Sequence, residues 1–216
     1  MNRRCRMAGL LGLFLLIGLG GCTPQDAENR ETEKDVSEEP QEGLPPIIDR
    51  AVFFDDPEIS GGQLSPDGEW VSFIQPLDGV MNVWVKRRGQ DFGEARPLTD
   101  DRDRPVRSHW WSRDSRFIVF MQDTGGDENF RLYRVAPEGE VAEGERVPAP
   151  MNLTPYDNIQ ARVVSRPRSQ PERILVALND RDPRLHDVYW VDLDTGERQL
   201  VFENQAGIAD FTADLD

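Results

Sequence analysis

Leu64-Ser65-Pro66-Asp67-Gly68-Glu69-Trp70-Val71-Ser72-Phe73 decides how this chain folds. Hydrophobic residues flank a tight polar corner. Pro66 presets φ at the first corner position, Asp67 can hydrogen-bond the backbone two residues on, and Gly68 takes the positive φ that follows. Two apolar runs joined this way make an antiparallel hairpin. The pattern returns at Trp111-Ser112-Arg113-Asp114-Ser115-Arg116-Phe117-Ile118-Val119-Phe120, and more loosely from Val164-Ser165-Arg166 to Ile174-Leu175-Val176. The serines recur about every 50 residues, and a period of about 40 to 50 with several short strands per unit marks the blades of a β-propeller. The expected fold is therefore all-β: an incomplete β-propeller of about three blades, each of four antiparallel strands, plus the start of a fourth.

Working outward, the first unit predicts strands at 59–65, 70–76, 83–86 and 96–99. The second predicts them at 106–112, 117–122, 130–135 and 152–154, with a long charged excursion over 137–150. The third predicts 159–165, 174–179, 188–192 and 199–202, and residues 208–212 read as the first strand of a fourth unit. Ala51-Val52-Phe53-Phe54 reads as a lead-in strand or packed segment. In the 70–76 strand, Trp70, Ser72 and Ile74 share one face and Val71, Phe73 and Gln75 the other. Both faces are fairly apolar, as expected of a sheet sandwiched between neighbours. Leu98-Thr99 and Leu153-Thr154 fall at matching places in their outer strands.

Residues 1–46 have a different character. Arg3, Arg4 and Arg6 precede an apolar run over 8–19, too short and Gly-rich for a membrane span and fitting a secretory leader. Leu19-Gly20-Gly21-Cys22 resembles the lipobox of bacterial lipoproteins, which implies a signal peptide over 1–21 and lipidation at Cys22. Thr23 rather than Asp after the cysteine points that resemblance towards the outer membrane, facing the periplasm. Residues 22–46 then form an acidic segment with scarcely an apolar side chain, which reads as a disordered tether because it cannot bury enough surface to offset its ordering entropy. The propeller domain is expected over 47–216. Of the two cysteines, Cys5 leaves with the leader and Cys22 takes the lipid, so no disulfide is expected.

The formal net charge is −15. That argues against nucleic acid as a partner, which wants a basic patch, and against electrostatic docking on anionic lipid. Membrane attachment is expected to rest on the acyl anchor.

With the repeats placed, the Leu64–Phe73 stretch resembles the PD40 propeller repeat shared by periplasmic TolB proteins and the prolyl oligopeptidase family of serine peptidases. Phe120-Met121-Gln122-Asp123-Thr124-Gly125-Gly126-Asp127-Glu128-Asn129-Phe130-Arg131-Leu132-Tyr133 resembles a stretch in the dipeptidyl aminopeptidase and acylaminoacyl peptidase branch, as does Asp182-Pro183-Arg184-Leu185-His186-Asp187-Val188-Tyr189. The resemblance implies a propeller that covers a hydrolase active site and restricts entry to short peptides. It also implies a Ser-Asp-His triad with its serine in Gly-x-Ser-x-Gly. No such motif occurs here, and the two histidines, His109 and His186, lie inside propeller repeats. No catalytic residue carries over, and this chain alone is expected not to hydrolyse a peptide bond by that mechanism. A peptide is expected as substrate only together with a hydrolase domain. A stand-alone, TolB-like interaction module is the rival reading, with exposed blade edges as its surface for a protein partner.

The candidate contact site is Asp127, Glu128 and Asn129, with Asp123 nearby. The cluster offers oxygen ligands for Ca²⁺, carboxylates for a substrate amino group, or a loop that bonds its own backbone; the last is the preferred reading. No His/Cys cluster suggests a metal and no glycine-rich phosphate loop suggests a nucleotide, so no cofactor is expected. His109, beside Trp110 and Trp111, reads as a core or inter-blade residue. His186 reads as lying in a solvated loop, with a contact to a hydrolase domain as the alternative.

Overall fold

The computed structural model describes residues 47–54 and 57–214. The expected leader over 1–21, the lipidation site Cys22 and the tether over 22–46 lie outside the described residues. The compact unit over 49–216 carries twelve strands among its described residues. They form three four-stranded antiparallel sheets, each a simple meander in chain order. The first holds β1 (Ser60–Leu64), β2 (Trp70–Leu77), β3 (Val80–Arg87) and β4 (Arg96–Pro97). The second holds β5 (His109–Trp111), β6 (Ile118–Gln122), β7 (Arg131–Val135) and β8 (Met151–Asn152). The third holds β9 (Ala161–Ser165), β10 (Arg173–Asp182), β11 (Leu185–Asp192) and β12 (Arg198–Phe202). These are three propeller blades.

The serine corners build the hairpins as their residue types dictate. Ser65 Oγ donates to Asp67 Oδ1 at 2.5 Å and accepts from the Trp70 N–H at 2.9 Å, while Asp67 Oδ1 also accepts from the Glu69 N–H. Ser112 repeats this, donating to Asp114 at 2.6 Å and accepting from the Phe117 N–H at 2.9 Å. Gly68 takes φ +76°. At the same repeat position Ser115 takes φ +64°, and its Oγ accepts from the Asp67 N–H at 3.0 Å, tying the second corner to the first.

Register assigns the two faces. Val85 pairs with Ser72 and Val83 with Ile74, and this face meets the second blade. Ile118 pairs with Val135 and Phe120 with Tyr133 on the opposing face, where the two rings stack at 5.4 Å. Val83, Val85, Leu98, Val106, Trp111, Ile118, Phe120 and Val135 close that core. The other side of the second blade meets Ile174, Val176, Leu178, Tyr189 and Val191 of the third in a larger core with Leu132, Leu153 and Ile159. Trp110 and Trp111 thus pack on opposite sides of their blade.

Outer strands are shorter than expected, two residues each in the first two blades. Side chains take over from the ladder. Thr99 Oγ1 accepts from the Val83 N–H and Thr154 Oγ1 from the Leu132 N–H, both at 2.9 Å. Consecutive blades are also stitched by the backbone: the Val106 N–H donates to the Met81 carbonyl and the Ala161 N–H to the Phe130 carbonyl.

Three expectations need correction. Ala51–Phe54 is a four-residue helix rather than a strand or packed segment; Asp49 caps the Ala51 N–H, and Val52, Phe53 and Phe54 are exposed. Residues 208–212 form no strand; Phe211 instead stands edge-on to the Phe202 ring at 5.8 Å and packs, with Ala213, on the face of the third blade formed by Leu175, Ala177 and Val188. His186 lies in β11 rather than in a loop, because β10 and β11 extend until only Pro183 and Arg184 separate them.

Candidate functional site

Loop 123–130 joins β6 to β7. Gly125 and Gly126 take φ +60° and +84°, which lets the chain double back. Asp127 then serves the loop itself. Its Oδ1 accepts from the Thr124 N–H at 3.2 Å and the Asn129 N–H at 3.0 Å, its Oδ2 accepts from Asn129 Nδ2 at 3.4 Å, and Arg131 stands 3.6 Å away. Desolvation pushes the Asp127 carboxyl up, but those N–H groups and the Arg131 charge together bring it below the usual aspartate range. Glu128 is exposed, at φ +57°. Asp123 points elsewhere: it is buried and takes a fork from Arg104 Nε and Nη2 at 3.4 and 3.2 Å.

The structure therefore joins Asp127 to Asn129, leaves Glu128 facing solvent and separates Asp123 from all three. Among the described residues no group of three His, Cys, Asp or Glu side chains could hold a metal ion, and no helix is long and apolar enough to cross a membrane.

A cavity of about 550 Å³ lies beside this loop, between the first and second blades. Arg104, Asp123, Gln122 and Asp101 form its polar wall; Phe120, Tyr133 and Val147 form its apolar wall. Gln122 Nε2 donates to the Arg104 carbonyl at 2.9 Å, so the polar wall is internally bonded. Arg104 and Tyr133 were not foreseen as site residues. Arg104 is 19 residues from its partner Asp123, and nothing in a chain read linearly joins them.

His109 and Ser72 invite comparison with a nucleophile and base, since His109 Nε2 and Ser72 Oγ lie 2.8 Å apart. The pair sits between blades, His109 being 4% and Ser72 0% exposed. His109 Nδ1 is buried without a hydrogen-bond partner. Burial pulls the imidazole down to about 4. A working base needs substrate access and a group that orients its second nitrogen. His109 has neither, and it joins two blades, as its neighbourhood of tryptophans suggested.

No family model matches the chain. Dipeptidyl aminopeptidase BIII from Pseudoxanthomonas mexicana is 38% identical over 170 residues, which make up 79% of this chain and 23% of the relative. Dipeptidyl peptidase family member 6 from Caenorhabditis elegans is 29% identical over 160 residues, 74% of this chain and 21% of the relative. Among solved structures, the β-propeller domain of the Trilobed protease from Pyrococcus furiosus superposes with a TM-score of 0.45 at 18% identity, covering 68% of this chain and 44% of that one. The chain thus spans under a quarter of the length of the curated relatives it matches. Its three meander blades, repeated serine corners and sequence likeness relate it to the propeller portion of the dipeptidyl aminopeptidase branch of the prolyl oligopeptidase family.

Proposed function

We propose that this chain is the propeller portion of an exported, lipid-anchored serine peptidase that releases short peptides. Its blades would restrict which substrates reach a hydrolase domain outside these residues. The observation that carries the reading is the 38% identity to a dipeptidyl aminopeptidase, sustained over 170 residues. The sequence supplies no Gly-x-Ser-x-Gly, and the one buried His–Ser contact is closed to substrate, so the nucleophile belongs elsewhere in this reading. The basic start, apolar run and Leu19-Gly20-Gly21-Cys22 support a thioether-linked lipid at Cys22, with the protein on a periplasm-facing membrane.

The test is the native product. An antibody against residues 57–214 should detect, in a detergent-extracted membrane fraction, a band several-fold heavier than 24.6 kDa. That band should take a fluorophosphonate label and, once captured, release dipeptides from a chromogenic dipeptidyl anilide. A native band near 24.6 kDa with no label overturns the peptidase reading and favours a stand-alone interaction propeller. For the anchor, Cys22→Ala should move the protein from the detergent phase to the aqueous phase; unchanged partition contradicts lipidation there.

A further inference from the structure

A second cavity, of about 440 Å³, opens between the second and third blades and is lined by Trp110, Arg113, Val163, Val164, Ser165 and Arg166. Arg113 and Arg166 occupy the same repeat position, the one Pro66 takes in the first blade. Arg113 Nε donates to the Arg166 carbonyl at 3.0 Å, which brings the two corners together. Arg166 also stands 5.4 Å from the Trp110 ring. Burial and the like charge of Arg113 push the Arg166 guanidinium below its ordinary value, and among the described residues no carboxylate offsets them. The nearby Asp114 is taken up by Ser112 and Arg116. In a chain of net charge −15, two neighbouring uncompensated arginines run against the prevailing sign.

Two neutral donors in the same wall lack acceptors. Ser165 is 5% exposed and its Oγ has no hydrogen-bond partner; Trp110 Nε1 is likewise buried and unpartnered. The sequence explains the first. Asp67 and Asp114 accept from the corner serines of the first two blades, whereas the third blade has Pro167 at that position. One replacement both frees a hydroxyl and removes a negative charge. A repeat that departs from its own rule at one corner, leaving a buried polar atom unsatisfied, is where function is expected to show.

We propose that this cavity binds the carboxylate of a small apolar acid, of the kind an N-acylated amino acid or the C-terminal residue of a peptide presents. The guanidinium groups suit the planar carboxylate. Ser165 and Trp110 supply the further donors, and Val163 and the indole ring take the apolar body. The volume falls within the roughly 300–1,000 Å³ of small-molecule sites. The site stands whether or not the protein is a peptidase.

The experiment is calorimetric titration and tryptophan fluorescence of the full-length native protein with N-acetyl-leucine, N-acetyl-leucinamide and inorganic phosphate. N-acetyl-leucine should bind saturably, the uncharged amide at least tenfold more weakly, and phosphate more weakly than the acid. Arg113→Gln and Arg166→Gln should each weaken the acid about tenfold, with Arg166→Lys in between and the distant Arg102→Gln without effect. Ser165→Ala removes a hydroxyl that bonds nothing in the fold, so it should leave the melting temperature unchanged and still weaken the acid. Lack of saturable binding, equal binding of the amide, tighter binding of phosphate, or a Ser165→Ala protein that binds like the parent would each overturn the assignment.

Discussion

At the scale of single residues, the corner serines make a graded test. Ser65 and Ser112 each donate to an aspartate and accept from a backbone N–H, so Ser65→Ala and Ser112→Ala should each cost about 1–3 kcal/mol in urea denaturation. Ser165→Ala should cost nothing measurable. Equal losses at all three sites would mean that the corner bonds do not set blade stability. Ser115→Gly relieves a left-handed φ but loses the bond to the Asp67 N–H, so its net effect should be smaller than that of Ser115→Ala, which loses the bond and keeps the strain. His109 sets the acid side. Its imidazole, ordinarily at 6.5, is brought to about 4 by burial. A histidine depressed in the fold contributes stability above pH 6.5 that is lost as pH falls toward 4, about 3 kcal/mol for the whole shift. Burial, then the Arg162 charge, depress His186 in the same direction. Depressed aspartates such as Asp114 lose their contribution only at lower pH. His109→Gln should therefore flatten the urea midpoint between pH 7 and 4.5, and an unaltered slope would remove His109 as the cause. Pro66, Asp67 and Gly68 announced their turn because each has a local preference; the turn at Ser115 was legible only from the repeat, because serine has no preference of its own for the positive φ it takes there.

Elements tell a similar story about what is local. The hairpin strands were legible because apolar residues on both faces and Gly-containing corners are written in the chain. Their outer partners were overestimated. Leu98-Thr99 and Leu153-Thr154 match as sequence, but these threonines bond the adjacent strand through their hydroxyls, so the ladder ends early. Thr99→Val and Thr154→Val should each cost about 1–3 kcal/mol, since a buried N–H is left without its acceptor; thermal melts that match the parent would show that the short ladders suffice. Ala51-Val52-Phe53-Phe54 was misread for the opposite reason. Its apolar composition fits a buried strand, but nothing in the sequence says whether a neighbouring sheet edge is there to receive it. The candidate loop was read well at Asp127, whose Asx geometry is local, and poorly at Asp123, whose guanidinium partner comes from the connection between β4 and β5.

For the whole molecule, repeat spacing revealed the number of blades, while the contents of the clefts between them depended on residues far apart in sequence. Leu200, Val201 and Phe202 are exposed along β12, and Phe211 and Ala213 pack on the outward face of the third blade. Residues 47–216 produced alone should therefore associate in sedimentation velocity; a sharp monomer boundary with one cooperative melt would contradict that expectation. The first blade differs. On its face away from the second blade, Phe73 is covered by Phe92 at 5.2 Å, and Lys86 Nζ lies 4.9 Å from that same ring. The 88–95 loop thus lays one ring on a side of the sheet that contains it, whereas the other side packs against Val106 and Ile118, which come later in the chain. The Val106-to-Met81 and Ala161-to-Phe130 bonds set the same order. Contacts are consequently ordered along the chain: within residues 57–214 the second blade packs on the first and the third on the second, so each blade finds its partner in its immediate neighbour in sequence.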